Sequence, residues 1–362
     1  MTQPAPTLEQ LGWNSELERA FCSFASQGLF PARVIAEHRG AYEVVCRDGA
    51  HIAEISGVFR RAAASKSAFP AVGDWAAVSF DPGARRRTIH GLLPRRTKLS
   101  RLSPGGEEQI IAANIDTVFI VQGLDADYNL KRLERYLAAA RAGGAKAVVI
   151  LNKTDLDPCA AQKAAEISSL GHDAPVLLLD SINRVGYEQL DAHITAGRAI
   201  VLAGSSGSGK STIINNLMGS GLQRTASVRV DDSKGRHTTT GRRLFILQTS
   251  GALLIDTPGL RGLELWAGTD TVEETFDDIH TLSAGCRFGD CVHITEPGCA
   301  VREALESGAL PRAHYDNYLK LRGETAFLKS KTDLAERLKK KAAGKKISKQ
   351  IKDIMKRKGK SG

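Results

Sequence analysis

The sequence has no apolar run approaching the ~20 residues that a bilayer-spanning helix requires. Its opening, MTQPAPTLEQ, also lacks the basic-then-apolar order of a secretory signal. These absences set membrane and secreted classes aside, so the cytoplasm is the expected compartment, with no membrane partner. No internal repeat is present. At 362 residues the chain is longer than one hydrophobic core usually serves, and two or three domains are expected. The remainder is ordinary for a globular protein: 42% hydrophobic, 25% charged, mean hydropathy −0.20.

Acids are nearly missing from one stretch. Between Arg337 and Lys360 there are twelve Lys or Arg and a single acid, Asp353, so this stretch carries about +11 of the net +10. The rest of the chain is therefore near neutral, and the basicity belongs to an appendage. Such a tail is either a solvated end or an electrostatic arm whose cations displace counterions from a polyanion. Cysteine is sparse as well. Cys22, Cys46 and Cys159 are scattered and read as small buried apolar residues. Cys286, Cys291 and Cys299 instead crowd into fourteen residues around His293. In a reducing compartment that pattern suggests a metal.

Along the chain, residues 1–30 hold an amphipathic extension, LEQLGWNSELERAFCSF, of no legible role. Residues 31–101 carry about five short β-rich runs, which suit a small barrel of OB type. Its loops bear Arg60, Arg61, Lys66, Arg85, Arg86, Arg87, Arg95, Arg96 and Lys98, a set that suggests RNA contact. From residue 102 to 265 strands alternate with helices: IDTVFIVQG, LKRLERYLAAARAGG, AKAVVILNK, AAQKAAEISSLG, APVLLLD, a helix near VGYEQLDAHI, then AIVLAG, GRRLFILQT and GALLIDTPG. That alternation implies a parallel sheet with helices on both faces. Residues 266–330 read as a helical segment holding the Cys/His cluster, and 331–362 as the basic tail. The expected fold class is multidomain: a β-barrel, an α/β P-loop domain and a helical metal-binding domain.

The run Gly204-Ser205-Ser206-Gly207-Ser208-Gly209-Lys210-Ser211 fits G-x-x-x-x-G-K-[ST] between a strand and a helix that continues through Thr212. Glycines let amide N–H groups turn inward around phosphates, and the helix directs its positive end at them. Lys210 suits the β/γ oxygens and Ser211 offers a hydroxyl to Mg²⁺. In LLIDTPGL, Asp256 at the end of an apolar strand suits a carboxylate facing Mg²⁺. Gly259 suits a backbone that approaches a γ-phosphate. Between them, KGRHTTTGRR offers Thr238, Thr239 and Thr240 as a Mg²⁺-contacting threonine, with Thr239 the first choice. The strand VVIL is followed by Asn152-Lys153-Thr154-Asp155. Asp155 can accept from guanine N1–H and its N2 amine, which adenine does not offer, and mismatch would strand a buried carboxylate. Asn152 would brace the loop, and the Lys153 stem would cover the base.

The order is unusual: base reader first, then phosphate loop, threonine loop and Asp-x-x-Gly. A parallel sheet can be cut in a loop and rejoined at its old termini without changing any strand's neighbours, if those ends lie close. With AANIDTVFIV, GRHTTT and CRFGDCVHITEPGC, this order resembles the RsgA (YjeQ) family of bacterial circularly permuted GTPases, from about residue 31 to about 325. The resemblance implies an OB-fold, a permuted GTPase domain and a zinc-bearing helical domain. It further implies binding to the small ribosomal subunit and its rRNA during late maturation, with slow GTP hydrolysis to GDP that the subunit stimulates. A monomer is expected. Where that family commonly has Ser-Ala before its last guanine-contacting loop, this chain has Asp180-Ser181.

Cys286, Cys291, His293 and Cys299 give C-x4-C-x-H-x5-C, and three thiolates with one imidazole suit tetrahedral Zn²⁺. Four protein ligands leave no open position, so one structural zinc is expected, with Asp290 and Glu296 as polar neighbours. A second absence bears on catalysis. Leu260 follows the glycine of Asp-x-x-Gly where many GTPases carry a glutamine, so intrinsic hydrolysis should be slow. His237 is the local candidate for positioning water, and the resemblance supports that role; the alternative is a loop histidine bonded to backbone. An ATP-using metabolic kinase is opposed by Asp155. A non-enzymatic RNA-binding scaffold is opposed by the full set of phosphate-side motifs.

Overall fold

The computed structural model describes residues 6–80, 86–102, 107–125, 128–170, 173–219, 242–256 and 275–326. Strands β1 (Phe30–His38), β2 (Ala41–Cys46), β3 (Gly49–Ile55), β4 (Trp75–Ser79) and β5 (Arg87–Leu92) pair in the order β1-β2-β3-β5-β4, and β4 returns to β1. Only β3 and β5 run parallel, so the five strands close as an OB-type barrel. Its interior is packed with small and β-branched residues, among them Ala32, Val34, Val44, Ala53, Ala76, Val78 and Ile89. β1 is buried on both faces over Ala32–Ala36. Val34 points into the barrel, whereas Ile35 joins a larger core outside it.

The extension supplies part of that outer cover. Helix α1 (Ser15–Ala25) is capped by Asn14, whose Oδ1 accepts from the Glu16 and Leu17 amides at 3.0 Å each. Leu8, Leu11 and Phe21 are buried against the barrel and central sheet, and Trp13 sets its edge on Trp75 with ring centroids 4.8 Å apart. Gly12, at φ +91, passes so close to Gly197 that a Cβ would lie 2.7 Å from the Gly197 carbonyl oxygen. The extension thus staples the barrel to the loop entering the central sheet.

A short helix α2 (Gly57–Ala62) follows β3, and a hairpin of β6 (Lys98–Leu102) and β7 (Glu108–Ala113) leads out of the barrel. The central sheet follows, with β8 (Thr117–Gly123), β9 (Lys146–Asn152), β10 (Val176–Leu179), β11 (Ala199–Ala203), β12 (Arg243–Ile246) and β13 (Leu253–Asp256). They stand in the order β10-β9-β8-β11-β13-β12. All are parallel except β12, which also pairs with β1 through Arg243 and Ala36, joining the barrel to the sheet. Every residue of β8 and β11 is buried, as a sheet covered on both faces requires. The crossovers are α3 (Leu130–Ala142), α4 (Ala160–Ser169) and α5 (Lys210–Met218). The helix expected near VGYEQLDAHI is one 3₁₀ turn, Tyr187–Leu190. Helices persist by burying successive turns, and only Leu190 of this turn is buried.

Past the central sheet, α6 (Asp277–Ser283), α7 (Ala300–Glu306) and a helical run over residues 312–326 (α8) enclose a small core of Phe276, Ile279, Val301, Leu310, Tyr315 and Tyr318. Ala138 of α3 belongs to the same core, so this module sits on the outer face of α3. Among the described residues no helix is long and apolar enough to cross a membrane.

One sequence expectation needs correction. Cys46 is buried, but Cys22 and Cys159 are exposed. Each sits on or at the start of a solvent-facing helix, where the hydrophobic side belongs to other residues. Most barrel-loop cations also carry an intramolecular carboxylate partner, and the exposed pairs among them are weak enough to exchange for phosphate. Lys66 pairs with Glu107 at 3.3 Å, Arg95 with buried Asp74 at 2.7 Å, Arg96 with Asp116 at 2.8 Å and Lys98 with Glu108 at 2.7 Å. Arg86 and Arg87 pair with Glu54 and Asp48. Arg60 and Arg61 on α2 stand exposed, while Arg85 lies outside the described residues.

Candidate functional site

β11 delivers the chain to Gly204 at φ +147, where a Cβ would lie 2.2 Å from the Val121 carbonyl oxygen of β8. Only glycine lets these backbones pass. The loop then turns through Gly207 (φ +85) and Gly209 (φ +97) into α5. Ser208 is fully buried, and its Oγ donates to the Ser205 carbonyl at 3.1 Å, pinning the loop from inside. Lys210 opens α5. Its Nζ donates to the Gly204 carbonyl at 2.9 Å and to that of Ser205, which holds the ammonium over the loop. Ser206 and Ser211 are exposed and Thr212 half-buried. A helix start behind a glycine loop offers unpaired amides and a positive dipole end to an anion.

Asn152 ends β9 and is fully buried. Its Nδ2 donates to the Ser208 carbonyl at 2.9 Å, across 56 residues of sequence. Its Oδ1 accepts from the amide and the hydroxyl of Ser181, at 3.1 and 2.8 Å. One carboxamide therefore ties the base-reader strand to the phosphate loop and to the turn after β10. Lys153 adopts φ +66, uncommon for a side chain with a Cβ, and its Nζ pairs with Asp125 after β8. This reversal turns the chain into the Thr154–Leu156 turn, where Asp155 is exposed and, among the described residues, engaged by no partner. A free carboxylate beside an apolar strand end can accept two donors from a ligand.

Sequence reasoning missed the brace around Asp180-Ser181. The Asp180 Oδ1 accepts from the Ile182 and Asn183 amides at 3.0 Å each, and Oδ2 from Asn183 Nδ2 at 2.6 Å. The Asn183 amide and side chain, aided by the Ile182 amide, hold its carboxyl below the ordinary range. Asn216 of α5 donates to the Ser181 carbonyl at 2.7 Å and to the Tyr187 hydroxyl at 2.8 Å. The available signal was an asparagine pair inside a helical pattern, which is weak without knowing what faces it. Asp125 carried no signal at all.

Asp256 ends β13, beside β11, and burial raises its carboxyl pKa. His237, Thr238, Thr239, Gly259 and Leu260 lie outside the described residues, as does the basic tail.

Cys286, Cys291, His293 and Cys299 do converge, with all four ligand atoms within 4.8 Å of one another. The Cys286 and Cys299 sulfurs are 3.8 Å apart, and each is 3.5 Å from His293 Nδ1. Bonds of about 2.3 Å to sulfur and about 2.0 Å to nitrogen in a tetrahedron demand edges of about 3.8 Å and 3.5 Å. The donor set fits a zinc-sized ion on geometry and on chemistry. Burial also lowers the His293 pKa, favouring the neutral imidazole that a metal needs. His293 sits at φ +66, and its carbonyl accepts from the Tyr315 hydroxyl of α8. Glu296 is no ligand. Its carboxylate caps the loop amides of Val292, Ile294 and Thr295 at 3.1, 2.9 and 3.0 Å. Those amides and its own hold it down to about 2.

A sequence model of the RsgA GTPase family matches residues 92–266. The chain is 44% identical over 338 residues to the small ribosomal subunit biogenesis GTPase RsgA of Opitutus terrae, covering 90% of this chain and 92% of that one. It is 41% identical over 326 residues to the protein of that name from Methanosarcina acetivorans, covering 89% of this chain and 86% of that one. The crystal structure of YjeQ from Thermotoga maritima superposes with a TM-score of 0.61 at 23% identity, over 82% of this chain and 99% of that one. YloQ, a circularly permuted GTPase, gives 0.57 at 24% identity, over 82% and 95%. The two solved structures establish the permuted fold, and the long, closely identical relatives establish descent: the chain belongs to the RsgA GTPase family.

Proposed function

We infer that the chain is a GTPase of small ribosomal subunit maturation, binding GTP and hydrolysing it to GDP and phosphate when the subunit stimulates it. The observation that carries this is the 2.9 Å bond from Asn152 to the Ser208 carbonyl. It ties the end of the Asn152 strand to the glycine loop, which supports reading the two as base reader and phosphate loop of one site in spite of their reversed chain order. Asp155 would accept from guanine N1–H and N2, under the Lys153 stem. Amides of Gly204 to Gly209 and the Lys210 ammonium would take the phosphates, with Ser205, Ser206, Ser208 and Thr212 shaping the loop. Ser211, Asp256 and Thr239 would hold Mg²⁺, which when bound neutralises charge on the β/γ oxygens.

His237 is assigned the water-positioning role, since Leu260 lacks a polar group, and Gly259 is assigned to sense the γ-phosphate. The Cys286, Cys291, His293 and Cys299 set is assigned one structural Zn²⁺. The barrel, the permuted GTPase domain and the helical zinc domain are taken as three working units of a monomer. The barrel-loop cations, with Arg60 and Arg61 exposed on α2, and the 331–362 tail are the groups assigned to rRNA phosphates. The working compartment is the cytoplasm.

Turnover of GTP and of ATP, with and without purified small subunits, tests the assignment. GTP preference and subunit stimulation are expected, and preference for ATP overturns it. Repeating the assay without residues 337–362 should weaken subunit binding and flatten its salt dependence.

A further inference from the structure

The turn following β10 is placed to meet a purine yet has almost nothing left to offer it. Leu179 is in register with Asn152, so Asp180 to Val185 lie beside Lys153 to Asp155. The Ser181 amide is spent on Asn152. The Ile182 and Asn183 amides are spent on the Asp180 carboxylate, and the Val185 amide on the Asp180 carbonyl at 3.0 Å. Of the five amides from 181 to 185, only that of Arg184 has no acceptor among the described residues.

A guanine O6 is an acceptor and needs a donor. Here it would meet an ionised carboxylate and amides that are engaged, save that of Arg184. The N1–H and N2 groups are donors, and Asp155 stands exposed to accept both. Two exposed apolar side chains, Ile182 and Val185, 77% and 60% accessible, border the turn and would tolerate a larger, softer atom than oxygen.

We propose that Asp180 is a specificity-determining residue that withdraws the Ile182 and Asn183 amides from the purine, so that the site reads guanine chiefly along its N1/N2 edge and discriminates little at position 6. This rests on the assignment of Asn152 to Asp155 as the base reader. The Asp180 carboxylate competes with the ligand for the Ile182 and Asn183 amides.

The experiment is equilibrium binding of GDP, 6-thio-GDP and IDP to the full chain with Mg²⁺. The thiocarbonyl is a poor acceptor but keeps N1–H and N2, whereas IDP keeps O6 and loses the N2 amine. GDP and 6-thio-GDP should bind within about twofold, and IDP at least about tenfold more weakly, since a carboxylate left with one donor loses a charged hydrogen bond. Asp180→Ala releases two amides. It should tighten GDP by about three- to tenfold and 6-thio-GDP less, so that discrimination at position 6 emerges. Asp180→Asn retains the acceptor and should behave as the parent does. It also carries the test if the alanine variant fails to fold. Tenfold or greater parental discrimination against 6-thio-GDP overturns the proposal. So does an alanine variant that weakens both nucleotides equally, which is the mark of a merely structural turn. A parent that binds none of the three overturns the base-reader assignment itself, a separate result from any ratio among them.

Discussion

At the ends of β9 and β11, carbonyls, amides and one buried carboxamide hold the residues of the nucleotide end in place. In the loop of residues 286–299, three thiols and an imidazole are brought within 4.8 Å, with Cys299 in the small core of the module and Cys286 and Cys291 packed against it. Phe288, Val292 and Ile294 in that loop are exposed. The first arrangement closes on itself: Asn152 meets Ser208 and Ser181, Lys210 meets Gly204, and Asn216 meets Ser181. The second draws together groups that repel once ionised and that a bound dication would neutralise, so on the zinc assignment its closure would depend on the metal. Removing the ligand should therefore leave one region standing and undo the other.

The largest effect expected is on the metal side. A chelator, or Cys299→Ser, should remove the order of the 275–326 module at a cost approaching ~10 kcal/mol for that unit. Near-ultraviolet circular dichroism would report it through Tyr315 and Tyr318, alongside release of one zinc per chain. GDP affinity should change no more than a few-fold. A chelated protein with an unchanged melting profile would mean that apolar packing alone holds the knuckle, and the comparison would fail.

On the nucleotide side, two glycines of one loop separate fit from conformation. A Cβ at Gly209 would lie 1.9 Å from Asn152 Nδ2 at φ +97, whereas one at Gly207, φ +85, meets nothing within 4 Å. Gly209→Ala should cost about 3–4 kcal/mol and sharply weaken GDP binding, by strain and by displacing the brace. Gly207→Ala should cost about 1 kcal/mol, from the positive φ alone. Paired denaturant unfolding curves would measure the difference, and equal costs would show that the brace does not constrain the loop.

Local pattern carried much of this molecule and distance hid the rest. The strand–glycine–helix run at Gly204 to Thr212 and the strand before Asn152 were readable because their signals lie within a dozen residues. The convergence of Cys286, Cys291, His293 and Cys299 was readable for the same reason. The Asp180, Ser181 and Asn216 brace joins positions 35 apart, and nothing in INNLM tells which asparagine faces inward. The role of the extension was hidden because Trp13 and Gly12 acquire meaning only against Trp75 and Gly197. The pairing of charges in the barrel loops was equally hidden, since a sequence shows Arg95 but not the buried Asp74 that holds it.

The smallest effect expected lies at the seam between the two regions. His314 of α8 is enclosed by Glu134 of α3 and by Asp278 of α6, at 3.0 Å, while Asn317 donates to Glu134 at 2.5 Å. Burial opposes its charge, but the bonds to Asp278 and Glu134 prevail and raise its pKa to about 9. A pKa raised on folding gives stability that is full below the unfolded value near 6.5 and is lost as pH rises through 9. With Asp278 partly open to solvent, the loss should be roughly 2 kcal/mol. Denaturant titrations from pH 6 to 9.5 should show that slope, and Glu134→Gln should flatten it while lowering stability at pH 6. A slope unchanged by Glu134→Gln would mean that the 275–326 module is not tied to α3 through this charge. The seam would then be held by Ala138 and Phe276 packing, the Arg135–Glu324 pair at 3.1 Å and the bond from Asn317 to the Lys131 carbonyl. The module would come away from the sheet independently of pH over this range.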